Sequence, residues 1–560
     1  GVESYSPVPF WDMWNGYLGF YCQANEVGSW WAQHNEHRIV LSRLLFWIDL
    51  AFFEGDGWFL IGMNYFFLGA VCILLWHISK ERLGSKEEIP IRRILGCICV
   101  VLLSSWIQEN NFIWGFQSQF ILAQAMPFFS FFCLYRASLS SHSKNRLFVV
   151  SCVLGILSIG TMANGILALP LMVPLALVLR MGWKRAAVLV SLSVLTIFFY
   201  FYDYASPSRS SFLEAFREAP MEILQYMSIF LGGPFYYMTR SVFLPQIASI
   251  FLIGSAAVFL WKAYKPSPQS SLEFFLLTFL LYIGGTALGA GCGRIDSGAI
   301  QSLSSRYQTP TLMAWATLLI LYAPIVKRWI KRQPVASISF LALIPILLLP
   351  HQLEVFGSKK EMRFQRMVAA LALELQINDS QIAEVYPMHD GKNILEIARI
   401  ASERKLSIFN HPAIRDARKS IGKTETTPFP NRCEGALEQI AMVKNDFRNL
   451  RIRGWAYQPD RKNAPRSIRF LDKDRRLLGF ALTGQPRPDI EKKIAPSAKY
   501  AGFKGYLLAG RTPVTLKGFD PDCEMEIQIG PEILVAWNLL PVNIPSRKKI
   551  GETSPHCDKE

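Results

Sequence analysis

Long apolar runs dominate the first two thirds of the chain, and short polar loops separate them. A helix that crosses a bilayer needs about 20 mainly apolar residues, and about ten runs reach or approach that length. Within a few residues, they lie at 57–79, 91–107, 117–135, 146–163, 165–180, 185–202, 243–263, 272–292, 310–326 and 334–350. The pattern predicts a polytopic all-α membrane domain over residues 57–350, preceded by a long first loop over residues 1–56.

Basic residues cluster in alternate loops of this domain. The clusters are Lys80 to Arg93, Arg136 to Arg146, Arg180 to Arg185, Lys262 to Lys265 and Lys327 to Arg332. Because loops rich in Lys and Arg stay in the cytoplasm, we expect the other loops and everything beyond residue 350 to face outward. An even number of spans between two outward ends implies a further span upstream of Gly1, or about eleven in all.

Composition agrees with a membrane protein. Only 18% of residues are charged, against roughly a quarter in soluble domains, and the mean hydropathy is +0.22. The net charge of +16 is not accompanied by a zinc-finger, P-loop or GxGxxG motif, so we expect no nucleic acid as a partner.

The pattern changes after the last apolar run. The stretches KKEMRFQRMVAALALELQ and GKNILEIARIASERKL have helical amphipathic spacing, which predicts a helical segment over residues 351–430, with the first helix close to the membrane surface. Five short strands, LRIRGWAYQ, SIRFLDK, LLGFAL, VTLKGF and EMEIQIG, then predict a small antiparallel β-sandwich over residues 431–545, followed by a polar tail over residues 546–560. Cys433 and Cys523 could pair there in an oxidising compartment.

Polar residues collect beside the outward ends of the predicted spans. We take as catalytic candidates the carboxylates Asp12, Glu36 and Glu109. The candidates for substrate binding are Arg38, Trp114, Gln117, Gln119, Arg294, Arg306 and Tyr307. Charges at the membrane edge are costly and tend to mark function, so the group predicts a wet outward cavity for a substrate with a polar head and a lipid tail.

The residue types suggest the chemistry. Arginines bind phosphate through forked, charge-assisted hydrogen bonds, amides suit hydroxyl-rich ligands, and a carboxylate can take a proton from an attacking hydroxyl. Structural roles compete with these: Trp114 as an interface anchor, Arg306 as a snorkelling side chain and Asp12 as a helix cap. His34 and His37 could share a metal, but HxxH alone is a weak signal.

Several short motifs resemble the GT-C glycosyltransferases, integral membrane enzymes that use polyprenyl-phosphate sugars in bacterial envelopes. The resemblance rests on PFWDMW in the first outward loop, SSRYQT in a late one, about eleven implied spans and an outward C-terminal domain. NEHRIV and WGFQSQF are similar to multi-span proteins grouped with that class. RGWAY, GQPRPDI and AGFKGYL resemble a β-sandwich module attached to envelope-sugar proteins.

The resemblance implies an inverting glycosyltransferase of the bacterial inner membrane, with its C-terminal domain outside the cytoplasm. Its donor would be a polyprenyl-phosphate-linked sugar, and its acceptor an envelope glycan, a glycolipid such as lipopolysaccharide, or a protein. Asp12 would be the base or would help to hold a divalent cation, Mg²⁺ or Mn²⁺. Arg38, Arg294 and Arg306 would face the donor phosphate. The double-acid motif of oligosaccharyltransferases is absent, because Met13 and Trp14 follow Asp12.

Three other functions stay open at this point. An O-antigen polymerase or ligase would use a lipid-pyrophosphate donor and carry a larger outward loop between late spans. A lipid-linked sugar transporter would show internal repeats and mid-span polar residues. A non-catalytic assembly protein would tolerate replacement of Asp12.

Overall fold

The computed structural model describes residues 5–84, 88–205, 212–265, 270–357, 359–387, 391–444 and 446–527. These residues form two compact units. We call residues 30–45 and 58–357 the membrane unit, and residues 5–29, 46–57 and 359–527 the C-terminal unit. The predicted tail 546–560 and the end of the predicted sheet domain, 528–545, lie outside the described residues.

Helices that are long and apolar enough to cross a membrane make up most of the membrane unit. Eight such helices occur in the described residues: Trp58–Leu83, Ile89–Ile113, Gly115–Leu139, Trp183–Phe201, Phe243–Ala263, Ser270–Gly293, Ser305–Arg332 and Pro334–Val355. The shorter helices include Lys144–Ser158, Ala168–Val178, Phe212–Glu218, Pro220–Leu231 and Gly233–Thr239. The unit is therefore that of a multi-pass membrane protein, as the apolar runs predicted.

Two of the predicted spans, 146–163 and 165–180, fall on helices of only 15 and 11 residues. The break between them comes from the backbone around Met162, which is extended. A Cβ at Gly165 would lie 1.8 Å from the carbonyl oxygen of Ser158. Glycine is therefore required at this close approach, and the hydrophobicity pattern alone does not reveal the interruption.

The C-terminal unit contains part of the first loop as well as the chain beyond residue 358. Its helical elements are the π-helix Trp14–Gly19, the end of helix Val40–Phe52, and helices Lys360–Glu374 and Gly391–Glu403. The amide of Trp11 donates to the carbonyl of Val385 at 2.8 Å, and the guanidinium of Arg366 lies 3.9 Å from the ring centre of Phe10. Residues 5–29 are thus part of a folded unit rather than an independent loop.

A seven-stranded antiparallel sheet forms the rest of this unit. The strands are β1 Glu434–Val443, β2 Asp446–Tyr457, β3 Ser467–Leu471, β4 Leu477–Gln485, β5 Gly502–Leu508, β6 Thr515–Phe519 and β7 Cys523–Glu526. Their order is β1-β2-β5-β4-β3-β6-β7. Inward side chains such as Leu450, Phe470 and Phe503 form one hydrophobic core.

The predicted β-sandwich is a single curled sheet in the structure. Its two outermost strands meet at one end: Arg432, just before β1, forms a parallel bridge with Glu524 of β7, and a disulfide joins Cys433 to Cys523. The strand pattern predicted antiparallel pairing correctly, but it does not determine whether the strands divide into two sheets or curl into one.

The amphipathic helix Lys360–Glu374 packs within the same unit. Its apolar residues from Val368 to Leu373 are buried, a Cβ at Gly484 of β4 would contact the ring of Phe364, and Lys504 of β5 donates to Gln365 at 2.8 Å. The face that the sequence assigned to a membrane surface is therefore covered by protein.

We expect Cys433→Ser to destabilise the C-terminal unit by about 2–4 kcal/mol, because the disulfide closes a long loop and restricts the unfolded chain. The two cysteines are 90 residues apart in the chain, and the bond between them joins the start of β1 to β7, the two outermost strands of the sheet. Amide hydrogen exchange of the full-length protein should show faster exchange in β1 and β7. Cys97→Ser, at an exposed free cysteine of the membrane unit, is the control and should leave these strands unchanged. Alkylation of Cys433 and Cys523 without a reductant would contradict the prediction.

Candidate functional site

Three segments of the membrane unit meet at the candidate site: the turn His34–His37, the stretch from Trp114 to Phe120, and the loop from Arg294 to Tyr307. In the first, His34 and His37 exchange backbone hydrogen bonds of 2.8 and 2.9 Å across a two-residue turn. Asn35 has a φ of 49°, a left-handed conformation that Asn tolerates well. The motif HNEH is therefore a tight turn rather than the start of a helix, and Glu36 lies at its tip.

Glu36 faces one of the predicted arginines. Its Oε2 lies 3.6 Å from Nη2 of Arg294 and 3.9 Å from Nε2 of His37, while this oxygen accepts no hydrogen bond from the described residues. The hydroxyl of Tyr200 donates to the Glu36 carbonyl at 3.0 Å. The carboxylate is thus held by its backbone beside the guanidinium of Arg294.

Both predicted arginines of the late loop pack against the ring of Tyr307. The guanidinium carbon of Arg294 is 5.8 Å from its ring centre, and that of Arg306 is 5.2 Å away. Arg306 also lies 6.0 Å from the ring of Phe120. Both Nε of Arg306 and the hydroxyl of Tyr307 are buried without a hydrogen-bond partner among the described residues. These donors are available to an anion.

A buried chain of hydrogen bonds fixes the backbone of Arg306. The Asn111 amide donates to the carbonyl of Arg306 at 3.2 Å and to the Thr309 hydroxyl at 2.7 Å, and Thr309 donates to Gln108 at 2.5 Å. The Asn64 amide donates to the Asn111 carbonyl at 3.0 Å. Asn64, Asn111 and Thr309 were not predicted, although the polar run WIQENNF pointed to this region.

The stretch WGFQSQF is more enclosed than a wet cavity mouth. Gln117 and Gln119 are 1% and 4% exposed, and their carbonyl oxygens have no hydrogen-bond partner among the described residues. Trp114 stacks on Phe116 at 5.8 Å, and a Cβ at Gly115 would lie 2.7 Å from Leu60. These acceptors could bind hydroxyl groups, but only of a ligand that enters between the helices.

Arg38 has a structural position rather than the predicted one at a phosphate. Its side chain is 3% exposed and donates to the carbonyls of Trp31, Tyr200 and Tyr202 at 2.6–2.9 Å. Its guanidinium also stacks on the ring of Trp31 at 5.2 Å. Because these acceptors occupy most of its donors, we remove Arg38 from the anion-binding group.

The three predicted catalytic carboxylates have different surroundings. Glu36 is the one that pairs with Arg294 among the described ion pairs. Glu109 begins the short helix Glu109–Ile113, and burial together with the charges of Tyr236 and Glu109 raises the pKa of Tyr237. Asp12 belongs to the C-terminal unit, where its carbonyl accepts from the amide of Gly16 at 2.7 Å. The sequence analysis grouped these three carboxylates because all were predicted to lie on the outward side of the membrane. That criterion could not reveal that Asp12 belongs to a different unit from Glu36 and Glu109.

The surroundings of the two histidines favour their neutral forms. Burial lowers the pKa of His37 to about 4, and the positive charges of Arg294 and Arg306 act in the same direction. Burial, aided by Arg43, likewise lowers the pKa of His34 to about 4. The described residues contain no group of three His, Cys, Asp or Glu side chains that could hold a metal ion. With two arginines and one carboxylate, the site does not fit a divalent cation.

Comparisons with protein-family models, with characterised proteins and with solved structures found no match for this chain.

We expect His37→Gln to make stability less sensitive to acid. The unfolded chain binds a proton on this histidine near pH 6.5, whereas the folded protein resists protonation down to about pH 4. The parent should therefore lose roughly 1–3 kcal/mol of stability between pH 7 and pH 4.5 that the variant does not lose. The thermal unfolding midpoint at several pH values measures this difference. His142→Gln, at an exposed position, is the control, and equal acid sensitivity of parent and His37→Gln would refute the prediction.

Proposed function

We propose that this protein is an integral membrane glycosyltransferase that moves a sugar from a polyprenyl-phosphate donor to an envelope acceptor on the extracytoplasmic side. The proposal depends above all on the arrangement of Arg294, Tyr307 and Arg306. Two guanidiniums lie 5.8 and 5.2 Å from the ring centre of one buried tyrosine, and donors on Arg306 and Tyr307 lack partners among the described residues.

The charge of this group suits a phosphate that becomes more negative as it leaves. Arg294 and Arg306 carry two positive charges against the one negative charge of Glu36, and among the described residues Arg306 forms no ion pair of its own. Fixed donors in a site with little water stabilise developing negative charge strongly. Gln117 and Gln119 offer buried carbonyl acceptors that suit the hydroxyl groups of a sugar.

A single displacement follows from these roles. An acceptor hydroxyl attacks the anomeric carbon and forms the new glycosidic bond as its proton passes to a carboxylate. The bond between the anomeric carbon and the phosphate oxygen breaks, and the electron pair remains on the phosphate, held by the arginines and Tyr307. Glu36 lies beside Arg294 and is the base that we propose, whereas Asp12, the base that the GT-C resemblance implies, belongs to the C-terminal unit.

One feature of each unit supports the proposal that the C-terminal unit and the Tyr307 end of the membrane unit lie outside the cytoplasm. The Cys433–Cys523 disulfide is typical of an oxidising compartment. The basic clusters occupy the opposite ends of the helices that carry the site: helix Gln308–Arg332 begins next to Tyr307 and has Lys331 and Arg332 in its last turn. By the positive-inside rule, the Tyr307 end faces outward, as expected in a bacterial inner membrane.

We expect Arg306→Gln to lower kcat/KM by about 10²–10³-fold, as the loss of one donor to a developing anion does in other enzymes. The assay follows transfer from a labelled polyprenyl-phosphate sugar to an envelope acceptor fraction by the purified full-length protein. Glu36→Gln and Asp12→Asn identify the base, because the variant that lacks it should lose transfer and its activity should become less dependent on pH. Arg448→Gln, an exposed arginine of the C-terminal unit, is the matched control.

Three outcomes would overturn parts of the proposal. Full activity of Arg306→Gln would exclude the arginine site. Turnover of a lipid-pyrophosphate oligosaccharide without use of monophosphate donors would favour the polymerase or ligase. Movement of the labelled lipid across vesicles without transfer would favour a transporter.

A further inference from the structure

A second cationic cluster lies at the other end of the membrane unit. Lys327 lies 20 residues after Tyr307 in the helix Gln308–Arg332, or about 30 Å along its axis. Nζ of Lys327 and Nζ of Lys331 lie 2.8 and 2.9 Å from the same oxygen of Glu88. Arg92 follows Glu88 by about one helical turn, at the start of helix Ile89–Leu103. We call these four residues the Glu88 cluster.

Charge is not balanced in this cluster, in contrast to its neighbours. Glu273 pairs with Arg82 at 2.6 Å, and Glu81 pairs with Arg136, so each has one arginine. Glu88 has two lysines on one oxygen and Arg92 near by, which leaves a net charge of +2 on four side chains. Glu88 and Arg92 are only 2% and 8% exposed, whereas the side chains of Lys327 and Lys331 are 29% and 55% exposed. The positive charge of the lysines therefore extends from a buried carboxylate towards the surface.

The lysines and Arg92 of the Glu88 cluster also have hydrogen-bond donors to spare. An ammonium group has three donors, and each lysine gives one to Oε1 of Glu88. Nε of Arg92 has no hydrogen-bond partner among the described residues. The cluster therefore offers several donors and excess positive charge from two helices, Ile89–Leu103 and Gln308–Arg332, while Lys331 remains about half exposed.

The neighbouring side chains indicate the depth of the headgroups. Trp329 lies between Lys327 and Lys331 in the chain and contacts Phe340 at 5.4 Å. Tryptophan favours the interface between hydrocarbon and water, and basic pockets between membrane helices bind anionic headgroups. The phosphate diester of a membrane lipid would lie at this depth while the acyl chains of the lipid run along the helices. A soluble anion would gain nothing from the apolar surroundings.

We propose that Lys327, Lys331 and Arg92 bind the phosphate of an anionic membrane lipid, at the end of the unit away from Tyr307. Glu88 holds the two lysines in position and competes with the lipid for them. This site is independent of sugar transfer and requires no chemical step.

Glu88→Gln distinguishes lipid binding from a purely structural ion pair. It removes the competing charge, so phosphatidylglycerol should bind several-fold more tightly, even if the lipid-free protein is less stable. Lys331→Gln should weaken binding several-fold, while Lys327 still pairs with Glu88. Native mass spectrometry and thermal shift of the delipidated full-length protein, titrated with phosphatidylglycerol, measure both effects. Lys262→Gln is the control, because it removes one positive charge from the last turn of another long apolar helix, Phe243–Ala263.

Tighter binding of phosphatidylglycerol by Glu88→Gln and weaker binding by Lys331→Gln, with the affinity of Lys262→Gln unchanged, would support the site. Equal weakening by Lys331→Gln and Lys262→Gln would overturn it in favour of diffuse attraction. Phosphatidylcholine and inorganic phosphate are the comparison ligands. A response to inorganic phosphate equal to that of phosphatidylglycerol would assign the cluster to a free anion and overturn the lipid proposal, as would an unchanged affinity in Glu88→Gln.

Discussion

The hydroxyl of Thr309 links two buried side chains, since it accepts from Asn111 and donates to Gln108. Polar groups in a membrane helix bundle must find partners inside the protein, and these bonds provide partners for the Asn111 amide, the Thr309 hydroxyl and the side-chain oxygen of Gln108. This chain of hydrogen bonds also fixes the carbonyl of Arg306. The guanidinium of Arg306 therefore extends from a backbone that is already held, beside Tyr307. Without this chain, the guanidinium of Arg306 would extend from a less constrained backbone, which is a poorer basis for an anion site.

The same constraint explains why the site is built mainly from helix ends. Trp114, Gln117 and Gln119 lie at the start of one of the two most deeply buried long helices, and Arg306 and Tyr307 at the start of the other. At a helix start the backbone leaves the regular hydrogen-bond pattern, so side chains of different helices can meet. Further along these helices apolar packing is more prominent, as in the stacked rings of Phe128 and Phe275.

The sequence predicted the apolar helices and the antiparallel C-terminal sheet, because both depend on local periodicity. It missed β1, whose EGALEQIAMV is rich in helix formers, and β5, where glycines allow strands to approach: a Cβ at Gly505 would lie 2.0 Å from the carbonyl oxygen of Phe480. Such close approaches are tertiary and leave no local pattern. For the site, residue type found Glu36, Arg294, Arg306 and Tyr307 as neighbours. It could not separate them from Arg38, whose carbonyl partners at Tyr200 and Tyr202 are distant in the chain.

The C-terminal unit is built from segments that lie on both sides of the membrane helices in the chain, and this affects the order of folding. Residues 5–29 and 46–57 are synthesised before residues 58–357, and residues 359–527 after them, yet these early and late segments belong to one compact unit. The hydrogen bond from Trp11 to Val385 closes a loop that contains every helix of the membrane unit. Contacts of such long range form late, since the chain must pay the entropy of closing the loop. Residues 5–29 and 46–57 must therefore wait, incompletely folded, until the membrane unit and residues 359–527 have been made.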